Sequence, residues 1–181
     1  FLIDLERERR AGRPGPAMGL LRRLGPARLC ITHAVAGELA ADDTLFMVGA
    51  GQTPVVETFS RATGEKLIGT LLGKAEGARP VFWDETLRLA ATRLAPERNR
   101  KAVVAFINRP PTSGAFDRYG LVETARQMAN NGIVFYPVYK DPSMSSRELD
   151  YIAAQTGGEP SYIFRPEGSG QIVREIRNSS I

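Results

Sequence analysis

The sequence predicts an α/β protein: a doubly wound, Rossmann-like, mostly parallel six-stranded sheet, with one short antiparallel edge strand and helices on both faces. Three observations carry this expectation. Ala102-Val103-Val104-Ala105-Phe106-Ile107 is a short continuous apolar run, the pattern of a strand buried on both faces. A second apolar run occupies 133–138. Around both runs stand segments with apolar residues at helical spacing, and strands alternating with helices imply a parallel sheet. Such sheets keep their working residues at the carboxyl ends of the strands.

The elements follow in order. Residues 1–5 read as a buried strand, and 6–17, rich in charge, proline and glycine, as a loop. Helical patterns cover 18–24 and 29–41, broken at Gly25-Pro26. In the second of these, Ile31, Val35 and Leu39 form one apolar face flanked by Cys30 and Ala34. Residues 44–49 read as a strand and Gly51-Gln52-Thr53-Pro54 as a turn. The weakly alternating 55–60 then suits an antiparallel edge strand. A short helix is expected over 65–72, and a longer one over 82–94 with Trp83, Leu87, Ala90 and Leu94 on one stripe. After the 102–107 strand and the Asn108-Arg109-Pro110-Pro111 loop, 119–130 reads as helix, ended by Asn131-Gly132 in the manner of a left-handed cap. A strand over 133–138, a helix over 146–156 closed by Gly157-Gly158, a strand over 161–164 and a helix over 171–177 complete the pattern.

The chain's 181 residues suit a single domain with a sizeable core, and 43% hydrophobic content argues for folding rather than disorder. No apolar run approaches the roughly 20 residues that span a bilayer, so no membrane insertion is expected. The chain opens on Phe1-Leu2-Ile3-Asp4, the middle of a strand, so it is expected to be a piece of a longer protein. The net charge is +4, with arginines clustered at 7, 9, 10 and 13 and again at 22, 23 and 28. No aromatic residues interleave them, so base stacking has no platform and the sequence argues against nucleic acid as partner. Cys30 is the single cysteine and has no internal disulfide partner.

Four segments resemble a von Willebrand factor type A domain, closest to the bacterial subgroup. Asp43-Thr44-Leu45-Phe46-Met47-Val48 is similar to its second strand, and Trp83-Asp84-Glu85-Thr86-Leu87 to the start of its central helix. Lys101 to Asn108 is similar to its fourth strand. Residues 131–138, Glu148-Leu149 and Gln155-Thr156-Gly157-Gly158 are similar to its closing third. The resemblance implies a metal-ion-dependent adhesion site (MIDAS), built from an Asp-x-Ser-x-Ser loop after the first strand, a threonine before the central helix and an aspartate after the fourth strand. Magnesium there takes near-octahedral oxygen ligands.

On this chain the first aspartate position falls on Asp4, the two serines on Glu6 and Glu8, the threonine on Pro80 beside Arg79, and the distal aspartate on Asn108 beside Arg109. Proline has no side-chain ligand, and asparagine offers one neutral oxygen. The glutamates are longer than serines and charged. A guanidinium at low effective dielectric repels a dication by roughly several kcal/mol. The resemblance therefore implies a degenerate site. Its expected cofactor is none, with magnesium as the alternative, and Arg79 or Arg109 is expected to pair with Asp4, Glu6 or Glu8 where the ion would sit.

Other motifs carry less. Gly69-Thr70-Leu71-Leu72-Gly73-Lys74 is one residue short of a phosphate loop and lacks its Ser/Thr. Gly49-Ala50-Gly51 lacks the third glycine and the following helix of a dinucleotide fingerprint. His33, the only histidine, has no convincing catalytic partner at helical spacing. Trp83 reads as core, and Asp84 as a carboxylate matched to its helix dipole. The expected function is a non-enzymatic, protein-binding or scaffolding module using Glu6, Glu8, Arg79, Asn108, Arg109 and the 110–116 loop. The alternative is an α/β enzyme or ligand-binding domain of flavodoxin-like shape. Bacterial relatives often act outside the cytoplasm, so the resemblance leans toward an extracytoplasmic location.

Overall fold

The computed structural model describes residues 2–4, 45–50, 55–59, 81–98, 100–107, 110–139, 142–162 and 169–178. In chain order the elements are β1 (Leu2–Asp4), β2 (Leu45–Ala50), β3 (Val55–Phe59), α1 (Trp83–Leu94), β4 (Lys101–Ile107), α2 (Leu121–Asn130), β5 (Ile133–Tyr139), a 3-10 turn (Pro142–Met144), α3 (Arg147–Thr156), β6 (Ser161–Tyr162) and α4 (Ser169–Asn178). Two compact units contain them: Phe1–Asp4, Phe46–Glu57 and Arg79–Tyr162 in one, Leu5–Leu45, Thr58–Ala78 and Ile163–Ile181 in the other. The helices expected over 18–24, 29–41 and 65–72 lie outside the described residues.

The fold is α/β with a parallel sheet. Strand order is β3-β2-β1-β4-β5-β6. β1 pairs in parallel with β2 and with β4, β4 with β5, and β5 with β6. Side chains alternate between sheet faces along a strand. On one face Val103, Ala105 and Ile107 of β4 join Ile133, Phe135 and Tyr139 of β5 in a single apolar cluster. The buried sides of three helices complete that cluster: Trp83 and Leu87 from α1, Ala125 and Met128 from α2, Leu149 and Ile152 from α3. Those three helices therefore cover one face. Val104, Phe106, Val134 and Val138, at the alternate positions, are buried as well. β4 and β5 are thus covered on both faces, which is why each reads in sequence as an unbroken apolar run.

Pro137 sits inside β5 without breaking it. The Phe135 N–H points to the β6 side of β5, where it donates to Thr156 Oγ1 at 3.0 Å. Two residues on, Pro137 faces the same way, and β6 begins pairing only at Val138. The ring occupies a position where the ladder has no bond to lose.

At the top of β5 a polar cluster built on the buried Tyr139 and Ser146 fixes the start of α3. Ser146 is the N-cap, its hydroxyl oxygen accepting from Leu149 N at 3.3 Å and its O–H donating to Glu148 Oε2 at 2.7 Å. That hydroxyl, first among several causes, holds the Glu148 carboxyl below its ordinary value. Tyr139 Oη donates to Asp150 Oδ1 at 2.7 Å and accepts from Ser146 N at 3.3 Å. Burial first, and then the Asp150 hydrogen bond, push the phenol's pKa well above its ordinary 10.0. The folded state therefore favours the protonated phenol. Its contribution is complete below pH 10.0 and is lost as pH rises beyond it. Tyr139→Phe is expected to cost about 1–2 kcal/mol near neutrality through the lost buried hydrogen bond, and to flatten the alkaline fall in stability. Denaturant melts across the alkaline range measure both effects.

Candidate interaction site at the carboxyl edge of the sheet

Parallel strands end at one edge, and register says which residues meet there. Ile3 is level with Gly49 of β2 and with Phe106 of β4. One residue further, Asp4 and Ile107 end neighbouring strands that point the same way. The chain then leaves β4 toward Asn108. Of the residues expected at this rim, Asp4 takes its place at the end of β1. Glu6, Glu8, Arg79, Pro80, Asn108 and Arg109 lie outside the described residues.

α1 reaches the same edge. Its last turn leads within a few residues to the start of β4, at the opposite edge of the sheet. Its 12 residues rise about 18 Å, so its first turn lies level with the carboxyl ends of the strands. The first backbone N–H groups of a helix need partners from elsewhere. Phe82, at the N-cap, offers no side-chain acceptor. Asp84 resolves this in two directions. Its Oδ1 accepts from Glu85 N at 2.7 Å, and its own N–H donates to Ala115 O at 3.2 Å.

The second carboxylate oxygen does more. Asp84 Oδ2 accepts from Tyr119 N at 2.6 Å, across 35 residues of sequence. Asp84 is fully buried, so each oxygen of a desolvated charge meets a backbone donor. Around it, Arg118 Nη1 lies 2.6 Å from Glu85 Oε2, and the Arg118 guanidinium stands 4.0 Å from the centre of the Phe82 ring. The Arg88 guanidinium stands 4.6 Å from the centre of the Tyr119 ring. Ala115 inserts into the core beneath. The segment 110–120 between β4 and α2 is therefore bolted to the first two turns of α1, while Pro110, Thr112 and Ser113 remain exposed and Pro111 is half-buried.

The structure corrects two expectations. The helix expected from 119 starts at Leu121, because Gly120, at φ 81°, turns the chain in a conformation outside the helical range that other residues rarely adopt. Asp84 is not simply a dipole-matched carboxylate: it is the tie between helix and rim loop. One signal could have found it. Asp84, Leu87 and Ala91 stand at i, i+3 and i+7, which puts an acid on the buried stripe of its helix. A buried acid there needs donors from another segment.

Among the described residues no group of three or more His, Cys, Asp or Glu could hold a metal ion, and no helix is long and apolar enough to cross a membrane.

No protein-family model matches the chain, and no curated protein matches it in sequence. Solved structures do match in fold. One is a von Willebrand factor type A protein from Catenulispora acidiphila, with TM-score 0.66 and 15% identity, covering 97% of this chain and 40% of that one. Another is the conserved hypothetical protein BatB from Bacteroides thetaiotaomicron, with TM-score 0.68 and 14% identity, covering 98% of this chain and 97% of that one. A third is proximal thread matrix protein 1 from the mussel byssus with a zinc-occupied MIDAS motif, at TM-score 0.63 and 12% identity, covering 97% of this chain and 43% of that one. This chain thus spans less than half the length of two of the three. At such identities the likeness is one of fold.

Proposed function

We propose, from the von Willebrand factor type A fold that this chain adopts, a non-enzymatic protein-interaction or scaffolding module that binds through the carboxyl rim of its sheet without a metal ion. The fixed rim loop is the observation that carries this reading. A loop held by a buried carboxylate, two cation–aromatic contacts and a core alanine presents Pro110, Thr112 and Ser113 as an exposed tip, with Pro111 half-buried, at the edge where β1 and β4 end. Such a surface is ordered before it binds, which lowers the entropy cost of association.

Metal independence rests on the chemistry of the donor set. Asp4 is one hard anionic ligand. Glu6 and Glu8 stand where short hydroxyls are wanted, Pro80 has no donor, and Asn108 offers one neutral oxygen. This set does not fit the octahedral ion of an adhesion site. Part of the proposal, on residues that outside Asp4 lie beyond the described ones, is that Arg79 or Arg109 takes the place of the dication by pairing with Asp4, Glu6 or Glu8. With this reading go the finer features of the fold: six strands, β3 as a short antiparallel edge, and helices on both faces. The partner is another protein, and the setting that goes with this reading is bacterial and extracytoplasmic; one fold neighbour is described as an aerotolerance-related membrane protein from Bacteroides fragilis.

The test is a melting and calorimetric titration. Magnesium and manganese are expected to give no heat and no rise in melting temperature. A bound ion at a hundredfold over its Kd would add about 2.7 kcal/mol to stability, which is easily seen, and would overturn the assignment. A nucleotide or flavin that raises the melting temperature would instead support the flavodoxin-like ligand-binding alternative.

A further inference from the structure

We infer that the flank of the rim formed by α1 and the start of α2 is a docking surface for an acidic, apolar segment of another protein, with Arg88 and Tyr119 as its anchors. The inference rests on the interaction-module reading and names the class of its partner.

Tyr119 and Val122 are each 49% exposed, and they are two of three large apolar side chains exposed among the described residues. They stand three residues apart, at the entry to α2 and within its first turn. Arg88 lies over the ring of Tyr119, with its guanidinium 4.6 Å from the ring centre. The patch is therefore an aromatic ring sandwiched on one side by a cation, beside an exposed valine. Tyrosine and arginine are among the residue types that carry binding energy at protein interfaces, tyrosine because it buries a large area at small entropic cost and arginine through its planar, charged donor fork.

Charge decides the partner. The carboxylates near Arg88 are committed elsewhere: Asp84 to two backbone N–H groups, and Glu85 to Arg118 at 2.6 Å. Glu123 on α2 is held by Arg126 at 2.8 Å. Arg88 makes no ion pair among the described residues. Arg88 is partly exposed, and its guanidinium fork suits a carboxylate that approaches edge-on while an apolar neighbour of that carboxylate covers Tyr119 and Val122. The backbone under Tyr119 is already fixed by Asp84, so the anchor is ordered before the partner arrives. A basic partner would meet Arg88 with like charge.

The test pans the intact chain against a display library of random short peptides. Enriched sequences are expected to carry Asp or Glu next to an aromatic or aliphatic residue. A synthetic peptide of the enriched type is expected to bind about tenfold more weakly, or worse, to Arg88→Glu and to Val122→Glu. Exchanging its acid for lysine is expected to recover binding to Arg88→Glu alone. Val122 is 49% exposed on the first turn of α2 and is not one of the clamp's hydrogen-bonding or ring partners described above, so its variant tests the surface even where changes at Tyr119 disturb the fold. Enrichment of basic or uncharged peptides, or no enrichment, overturns the inference. So does a concentration-dependent dimer abolished by Val122→Glu, which would give the surface to a second copy of the chain. Peptides insensitive to both variants but weakened by Asp4→Ala or Asn108→Ala would overturn this surface and leave the rim reading standing.

Discussion

Gly158→Ala is expected to cost at least about 3 kcal/mol, enough to unfold a marginally stable domain. A methyl group built on Gly158 would run into the backbone carbonyl oxygen of Phe135, with the Val134 side chain 3.2 Å away. A flexible side chain could move aside, but the obstacle is the backbone of a central strand. Its neighbour sets the scale. Gly157 ends α3 in the left-handed conformation, at φ 79°, with open space around its Cα. Alanine there meets only the backbone penalty of about 1–2 kcal/mol. Urea denaturation of both variants checks the pair. The expected order is Gly158→Ala far below Gly157→Ala. Equal losses would mean that α3 and β5 do not approach this closely.

Asp84→Asn is expected to destabilise the domain by about 2–3 kcal/mol and, more tellingly, to release the rim loop. The carboxylate accepts from two backbone N–H groups, one at each oxygen. The amide keeps one acceptor and turns its NH2 toward the other donor, so two donors face each other in a buried site. Volume is nearly unchanged, which separates this effect from cavity formation. Hydrogen exchange gives the specific readout: the Tyr119 amide is expected to exchange far faster in the variant, while amides in the middle of β4 slow or quicken only with global stability. Unchanged Tyr119 protection would show that Asp84 does not hold the loop.

The fold was legible where local pattern and tertiary environment agree. β4 and β5 were readable because helices cover one face and buried residues fill the other, leaving no polar alternation to confuse the period. α1 was readable from its Trp83, Leu87 and Ala90 stripe. The start of α2 was not. What sets that start at Leu121 is Gly120 at a positive φ, and a glycine one residue inside the apolar pattern did not by itself mark the boundary. Gly157-Gly158 was read as a helix stop, which accounts for Gly157; the role of Gly158 depends on how closely α3 passes β5, a property of packing. Tyr139 likewise gained its role only when β5 ran one residue past the expected end, bringing its hydroxyl to Asp150. For the rim, sequence nominated Asn108 by its place directly after a buried strand, and Asp4 by resemblance. Register supplies the physical reason: the strands they end or follow are neighbours that run the same way.

The Thr156 hydroxyl, which accepts from the Phe135 N–H, has a bearing on solubility. β6 pairs with only the last two residues of β5, so much of β5 would otherwise offer its hydrogen-bonding groups to any passing strand. The end of α3 covers that stretch with a side-chain acceptor and a close-packed glycine. A second chain would have to unwind the helix before it could zip onto β5, so this margin of the sheet resists the edge-to-edge polymerisation that seeds fibrils.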